Sequence, residues 1–216
     1  MKSVPSGLHE GRRERRKAET RRRLLAAARA LFVERGFSAT RPQDIARRAD
    51  VGAGTFYLYF ADRREVFLAF TEQATAELME CVRRSTEGAR DFETGLRRSL
   101  EALCAYSDAH PGVVRAAFAD EAVIAADRSP EPRTPARTGS RLRDRLADGL
   151  AQRLQSGMRS GKLCDEFDPH LVAYGIVGFV HQAFVHGAAD RRQLIDTVTR
   201  FCGRALVPGP HQEIAK

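Results

Sequence analysis

Apolar residues recur along this chain at intervals of three and four, and strand-like alternation is scarce. Leu24, Leu25, Ala28, Leu31 and Phe32 fall on one face of a predicted helix over 19–35. A longer one over 64–86 carries Val66, Phe67, Phe70, Ala74, Leu78, Met79 and Val82. Residues 92–109 place Leu96, Leu100, Leu103 and Cys104 together. His110-Pro111-Gly112 breaks that helix, and a shorter one follows over 113–126. Residues 127–140, DRSPEPRTPARTGS, hold three prolines and no large apolar residue, which predicts a mobile surface loop. The helical pattern resumes over 142–159 and stops at Ser160-Gly161. Asp168-Pro169 then reads as a cap with proline in the first helical position. A last helix, 191–206, spaces Leu194, Ile195, Val198, Phe201, Cys202 and Ala205 by threes and fours. The expected fold class is all-α.

The stretch 37–60, FSATRPQDIARRADVGAGTFYLYF, departs from this plain periodicity. Asp44-Ile45-Ala46 and Ala49 give one short helix an apolar stripe and a polar face. Pro42 is tolerated in a first turn, where its missing N–H has no partner anyway. Thr40 with Gln43 has the spacing of a capping box, whereas Pro42 biases Arg41 toward extended angles that suit a cap. Asp50-Val51-Gly52-Ala53-Gly54 is the break, with two glycines to permit unusual backbone angles. Thr55-Phe56-Tyr57-Leu58-Tyr59-Phe60 forms a second helix with four aromatics. Phe56 and Phe60, four apart, should face inward against Leu31, Phe32 and Ile45. A helix, a tight turn and a second helix make the unit that lays its second helix in the DNA major groove.

These residues resemble the TetR family of bacterial transcriptional regulators. The resemblance rests on Gly36, Phe37, Thr40, Asp44, Ile45, Ala46, Ala49, Val51, Gly54, Phe56, Tyr57, Tyr59 and Phe60, and it covers residues 18–70. It implies an N-terminal three-helix bundle with a helix-turn-helix, and a larger helical C-terminal domain that dimerises through its last two helices. It implies that Tyr57 and Tyr59 donate hydroxyls to phosphates, that Arg63 stands where a phosphate-binding Lys is usual, and that Thr55 approaches bases or backbone. Gln43 matches a base-reading position, and its amide suits adenine. Gly54 permits close backbone approach. Thr40, Arg41 and Ala53 complete the expected DNA set. The chain departs from the family pattern at Asp50, usually Gly; at Ala53, commonly Ser or another polar residue; and at Arg41-Pro42, usually a hydroxyl and an aliphatic residue. For the tyrosines, core packing is the alternative.

Charge sharpens the division of the chain. Of 36 Lys+Arg and 28 Asp+Glu, residues 1–64 hold 16 and 7, so all the excess positive charge lies there. That asymmetry points to a polyanion partner for the N-terminal part, double-stranded DNA. The expected domains are a basic arm over 1–17, disordered before binding, a DNA-binding domain over 18–64, and a ligand-binding and dimerisation domain over 65–216. Residues 1–17 lack the apolar run of a signal peptide, which sets the expectation of a cytoplasmic protein. Cys81, Cys104, Cys164 and Cys202 are widely spread without a CxxC pair, as for packed thiols; a redox role for Cys104 or Cys164 has no further support. His181 and His186 are five apart, not the four that puts two ligands on one helical face, so no metal site and no cofactor is expected. No P-loop, GxGxxG or GxSxG is present, which disfavours an enzyme.

Residues 171–189 run for nineteen positions without a formal charge, a length that could span a membrane. Three glycines, two histidines and a glutamine argue instead for a helix buried against its own core and a partner. With 191–206 it looks like the family's dimer-forming pair, which implies a homodimer and no membrane. Two-fold symmetry would present the short reader twice to a palindromic operator. The family's middle helices surround an effector pocket whose filling releases the operator. Phe92, Leu103, Tyr106, Phe118, Met158, Phe179, His181 and Phe184 are the candidate lining, with ordinary core as the alternative; their character implies an apolar or aromatic effector. The leading expectation is an effector-released repressor. The alternative is a DNA-bound module that recruits another protein without a small ligand. A roomy cavity would favour the first, a collapsed core beneath an apolar surface patch the second.

Overall fold

The computed structural model describes residues 7–118, 141–186 and 190–208, and every regular element among them is a helix. The expected helix beyond Phe118, the expected loop over 127–140, residues 1–6 of the expected arm and residues 187–189 of the uncharged stretch lie outside the described residues. Two compact units divide the chain, the first ending at Phe70 and the second beginning at Thr71.

In the first unit, α1 spans Gly7–Arg35, α2 Pro42–Arg48 and α3 Ala53–Tyr57, followed by the opening turns of α4, Arg63–Thr86. Residues 7–17 are therefore helical, not the disordered arm expected from their charge. The segment is rich in Arg and Glu, which are good helix formers, and Lys17 pairs with Glu14 at 3.3 Å. Extending a helix already fixed by packing avoids the nucleation cost that an isolated segment faces. Leu24, Ala28, Leu31 and Phe32 are buried, and Gly36 (φ 78) ends the helix by donating its N–H to the Phe32 carbonyl at 3.0 Å.

Arg41 caps α2 through its backbone alone (φ −107, ψ 150), with Pro42 in the first turn. Thr40 does not form the box with Gln43: it is fully buried and donates its hydroxyl to the Gly36 carbonyl at 2.8 Å. The far end of α2 is a Schellman motif. Asp50 N–H bonds to the Arg47 carbonyl at 3.1 Å and Val51 N–H to the Ala46 carbonyl at 3.0 Å. Asp50 itself takes the left-handed angle, φ 54, and is the only described non-glycine to do so. Gly52 lies at φ −64, and Gly54 has no positive φ. The expectation that the two glycines make the break is thus corrected. Asp tolerates this region better than most L-residues, because its short side chain bonds locally.

α3 is short, but the Phe60 N–H still bonds to the Phe56 carbonyl at 3.0 Å, which carries the turn onward. Both rings are buried with Ile45 and Leu24. Asp62 and Glu65 start α4: Asp62 accepts from the Glu65 N–H at 2.8 Å, and Glu65 reaches back to the Ala61 N–H at 2.6 Å.

The second unit contains the rest of α4 with α5 (Phe92–Ala109), α6 (Val113–Phe118), α7 (Arg141–Arg159), α8 (Pro169–His186) and α9 (Arg191–Leu206). α7 packs along α8, α5 along α9, and α6 against both α7 and α8. Asp91 caps α5 and Asp168 caps α8, accepting backbone N–H groups at 2.8 and 2.7 Å. Arg97 ties α5 to Asp196 of α9 at 2.7 Å. Leu100, Leu103, Val114, Phe118, Leu142, Leu154, Val177, Leu194 and Val198 are among the core residues. The four cysteines are free. Burial pushes the Cys202 thiol up to about 11. It also raises Cys104, against the opposing pull of Arg191, so both stay protonated at neutral pH.

Asp50→Val is expected to lower stability by about 1–2 kcal/mol, the cost of a left-handed angle for a β-branched residue, whereas Asp50→Gly keeps or raises it. Urea unfolding of the two variants checks the order; an equal loss in both would locate the effect in the carboxylate rather than the backbone.

Candidate nucleic-acid interface and internal cavity

α2 and α3 are held with their apolar sides inward, which leaves one continuous polar face. Gln43 and Arg47, four apart on α2, are exposed together with Gly52, Ala53 and Gly54 at the start of α3. Gln43, Arg47, Asp50, Val51, Gly52 and Ala53 line a shallow, wide-open concavity. A Cβ on Gly54 would meet nothing within 4 Å, and its backbone angle is ordinary, so nothing inside this chain requires glycine there. Close approach from outside is a sufficient reason for it.

Tyr57 is 52% exposed, its ring set edge-on to Phe56 at 5.3 Å, so its hydroxyl stands in the open and it is not a core residue. Tyr59 and Thr55 are half-buried, and Arg41 is exposed. Thr40 leaves the contact set: with no exposed surface it shapes the turn and cannot touch a ligand. Arg63 is already engaged. Its guanidinium lies 4.3 Å from the centre of the Phe37 ring and donates to the Ser38 carbonyl at 3.0 Å. It braces the loop between α1 and α2, so it affects the interface first by positioning.

Three residues here escaped the sequence reading. Arg47 was legible, being one helical turn beyond Gln43. Leu58, 82% exposed, was legible as well, since two residues beyond Phe56 it stands on the side of the turn away from the buried Phe56 and Phe60. Arg23 was masked by the arginine-rich run around it: its guanidinium donates to the carbonyls of Ala49 and Asp50, the latter at 3.0 Å, and closes the end of α2. From the remainder of α1, Arg12, Arg13, Arg15, Arg16 and Lys17 add an exposed basic surface.

The second unit holds a partly open apolar chamber of about 70 Å³, walled by residues that include Met79, Leu100, Leu103, Phe118, Ile176, Val177 and Val180. Beside it runs an open groove of about 630 Å³; Leu96, Leu150 and Arg153 line both. Of the eight candidate lining residues, only Leu103 and Phe118 reach the chamber, and Phe92 lines the groove. Tyr106 is buried and donates to the Glu77 carboxylate at 2.8 Å. The His181 ring lies tilted against that of Phe118, with centroids 4.8 Å apart, and does not line the chamber. Met158 and Phe184 are half-buried and line neither space, and Phe179 is exposed. The sequence reading favoured aromatic residues, but the packing gave the chamber to aliphatic ones. No group of three or more metal-ligating side chains occurs among the described residues, and no helix there is long and apolar enough to cross a membrane.

A three-helix head with a tight turn, a basic surface and one polar face defines a helix-turn-helix protein that binds DNA. Residues 24–70 match the family model of the bacterial regulatory proteins of the tetR family. The chain is 34% identical over 85 residues to the HTH-type transcriptional activator FasR of Mycolicibacterium smegmatis, a match covering 39% of each protein. It is 29% identical over 110 residues to the HTH-type transcriptional regulator HbdR of an Aromatoleum species, covering 51% of this chain and 48% of that one. The chain thus spans about half or less of the curated relatives it matches. The fatty acid degradation regulator FadR of Bacillus halodurans shares the fold with a TM-score of 0.70 at 18% identity, over 88% of this chain and 96% of that one. Residues 24–70 thus carry the DNA-binding domain of the tetR family of bacterial regulatory proteins, and the chain as a whole shares the fold of such regulators. Its relatives are DNA-binding regulators, not enzymes.

Tyr57→Phe is expected to weaken binding alike across DNA sequences and to leave unfolding unchanged. Its slope of log affinity against log salt should stay close to the parental one, because a neutral hydroxyl bonds a phosphate without releasing its counter-ion. Arg63→Ala should lower the unfolding temperature as well as the affinity. Titrations against salt beside thermal melts separate the two; a parental melting temperature for Arg63→Ala would return that residue to direct contact. Gln43→Ala should relax preference at one position per half-site, worth about 1–3 kcal/mol of base discrimination. Binding-site selection yielding the parental motif would remove Gln43 from base reading.

Proposed function

We propose that this regulator is a homodimeric repressor, released from a palindromic operator by a small-molecule effector. In this proposal residues 18–64 bind DNA, 1–17 extend the basic surface, and 65–216 dimerise and take the effector. Gln43 reads a base, Arg41, Ala53, Gly54, Thr55, Tyr57 and Tyr59 meet backbone or bases, and Arg63 and Thr40 hold the turn that presents them.

The observation that carries dimerisation is an apolar face left open on α8 and α9. Leu171 is 75% exposed and Phe201 72% exposed, with Tyr174 and Phe179 also in the open, in a unit whose other large apolar residues are mostly buried. Leu171, Tyr174, Gly175, Gly178 and Phe179 follow one helical stripe, and Cβ atoms on the two glycines would meet nothing within 4 Å. Such a face suits a second copy of the same helices. Effector release is supported by the chamber and its adjoining groove, which together fall within the roughly 300–1,000 Å³ of small-molecule sites. The small chamber beneath an apolar face also fits the recruiting module, in which the face takes another protein.

Leu171→Glu with Phe201→Glu is expected to give monomers by sedimentation and a loss of operator affinity of at least about tenfold; a variant that stays dimeric sinks the assignment of this face. An operator-driven reporter checks the sign of control: removing the protein raises expression for a repressor and lowers it for an activator, as FasR is named. Operator occupancy unmoved by any fraction of a small-molecule extract would leave the recruiting module.

A further inference from the structure

Among the described residues Arg153, on α7, is the only charged one lining the chamber, and it also lines the groove. Its Nη1 donates to the Ser99 hydroxyl at 2.9 Å and its Nη2 to the Thr86 hydroxyl at 3.1 Å. Each hydroxyl spends its own proton on its own helix, Ser99 on the Gly95 carbonyl and Thr86 on the Val82 carbonyl, both at 2.8 Å. Both are therefore neutral acceptors, held in place before any ligand arrives. No carboxylate pairs with Arg153 among the described residues, and burial alone, with no opposing charge, pulls its pKa down. A guanidinium has five N–H donors, of which two are used here. None of its nitrogens is both sealed and unpaired, and the side chain borders both the chamber and the groove.

Neither acidic residue of the groove pairs with Arg153 among the described residues. Asp91 accepts from the N–H and the hydroxyl of Thr94 at 2.8 and 2.9 Å, and the Glu93 carboxylate lies against Gly203 of α9. Arg90 and Lys162 add positive charge to the same groove. A cation thus stands at the junction of an apolar chamber and an open groove, with no counter-ion among the described residues.

We propose that the effector is an amphiphilic carboxylate, its head paired with Arg153 at the chamber mouth and its hydrocarbon tail between Leu100, Leu103, Phe118, Val177 and Val180. Binding of this kind rests on the second unit taking an effector at all, as proposed above. A neutral apolar molecule would leave the guanidinium desolvated without compensation, whereas a carboxylate supplies a charge-assisted, bidentate partner. The chamber, at about 70 Å³, is smaller than the roughly 150 Å³ cavity that holds benzene, so the tail enters by widening it. Met79, whose methyl end lies against Gly149, is the adaptable part of that wall. Widening at a site between α4, α5, α7 and α8 is a route by which filling could shift one packing of the helices to another.

The test uses the full chain with decanoate and decanol, which share a tail and differ in charge, below micellar concentrations. Calorimetry is expected to give decanoate at least about tenfold tighter than decanol, the worth of one charge-assisted contact. Arg153→Gln should bring decanoate down to the level of decanol and leave decanol unchanged; Arg153→Lys should keep part of the preference. Without ligand, Arg153→Met should unfold at or above the parental temperature, because it removes an uncompensated charge and leaves Ser99 and Thr86 with their own carbonyls. Equal affinities for the two probes overturn the carboxylate while leaving an effector in place, and failure of both to bind overturns the amphiphile. An Arg153→Met chain that melts well below the parent makes Arg153 a structural brace and overturns the proposal as well. Loss of the effector reading is registered separately, by an operator that no small-molecule fraction releases.

Discussion

The end of α2 is closed by a guanidinium from α1, and the polar face of the head depends on that closure. Four carbonyls at a helix end lack partners within the helix. Here the Schellman bonds of Asp50 and Val51 satisfy two of them, and Arg23 donates to the carbonyls of Ala49 and Asp50. With Asp50 at φ 54 the chain reverses within a few residues and α3 begins at Ala53. Phe56 and Phe60 can then be buried while Tyr57 points away. Gln43 and the start of α3 share one face because this turn has one geometry. Arg63 does the corresponding work at the other end of α2, holding the loop from Phe37 to Thr40 through its carbonyls and the Phe37 ring.

Both arginines show how a basic surface can serve two ends. Of the positive charge concentrated in residues 1–64, some is consumed inside the head: Arg23 and Arg63 on carbonyls, and Arg48 on Glu34 at 2.7 Å. What remains outward, Arg12 to Lys17, Arg41 and Arg47, is available to a polyanion, though Arg47 also pairs with Asp44 on its own helix. Exposed pairs of this kind stabilise little, so a phosphate can displace them at small cost. In the second unit the same residue type behaves differently. Among the described residues Arg153 has only hydroxyl partners, which leaves it open to negative charge rather than already neutralised.

Most helices were legible because their apolar spacing is set by burial on one side. The spans 92–109 and 191–206 emerge with the bounds read from the sequence, and α4 and α7 differ by a single residue at the start. Errors arose where local chemistry was read without its neighbours. Charge suggested disorder over 7–17, but helix propagation from a packed segment overrode it. Two glycines suggested the break, yet an aspartate makes it, because the capping bonds and Arg23 stabilise an angle that propensity alone disfavours. Thr40 read as a contact residue and lies buried under its own turn. The cavity was least legible: aromatics were expected to line it, but Tyr106 spends its hydroxyl on Glu77, and Phe179 faces outward.

The sequence by itself determined an all-helical chain, a helix-turn-helix near its start, a basic head and two apolar helices near its end. Each of these follows from periodicity, turn chemistry or charge count, which are local properties summed along the chain. Only the tertiary structure decided which arginines are structural and which face outward, and which residue turns the chain between α2 and α3. It also decided that a cation held by two hydroxyls, Ser99 and Thr86, borders both the chamber and the groove. Those depend on groups brought together from distant positions, Arg23 with Asp50 and Arg153 with Thr86 and Ser99, and no spacing along the sequence encodes such a meeting.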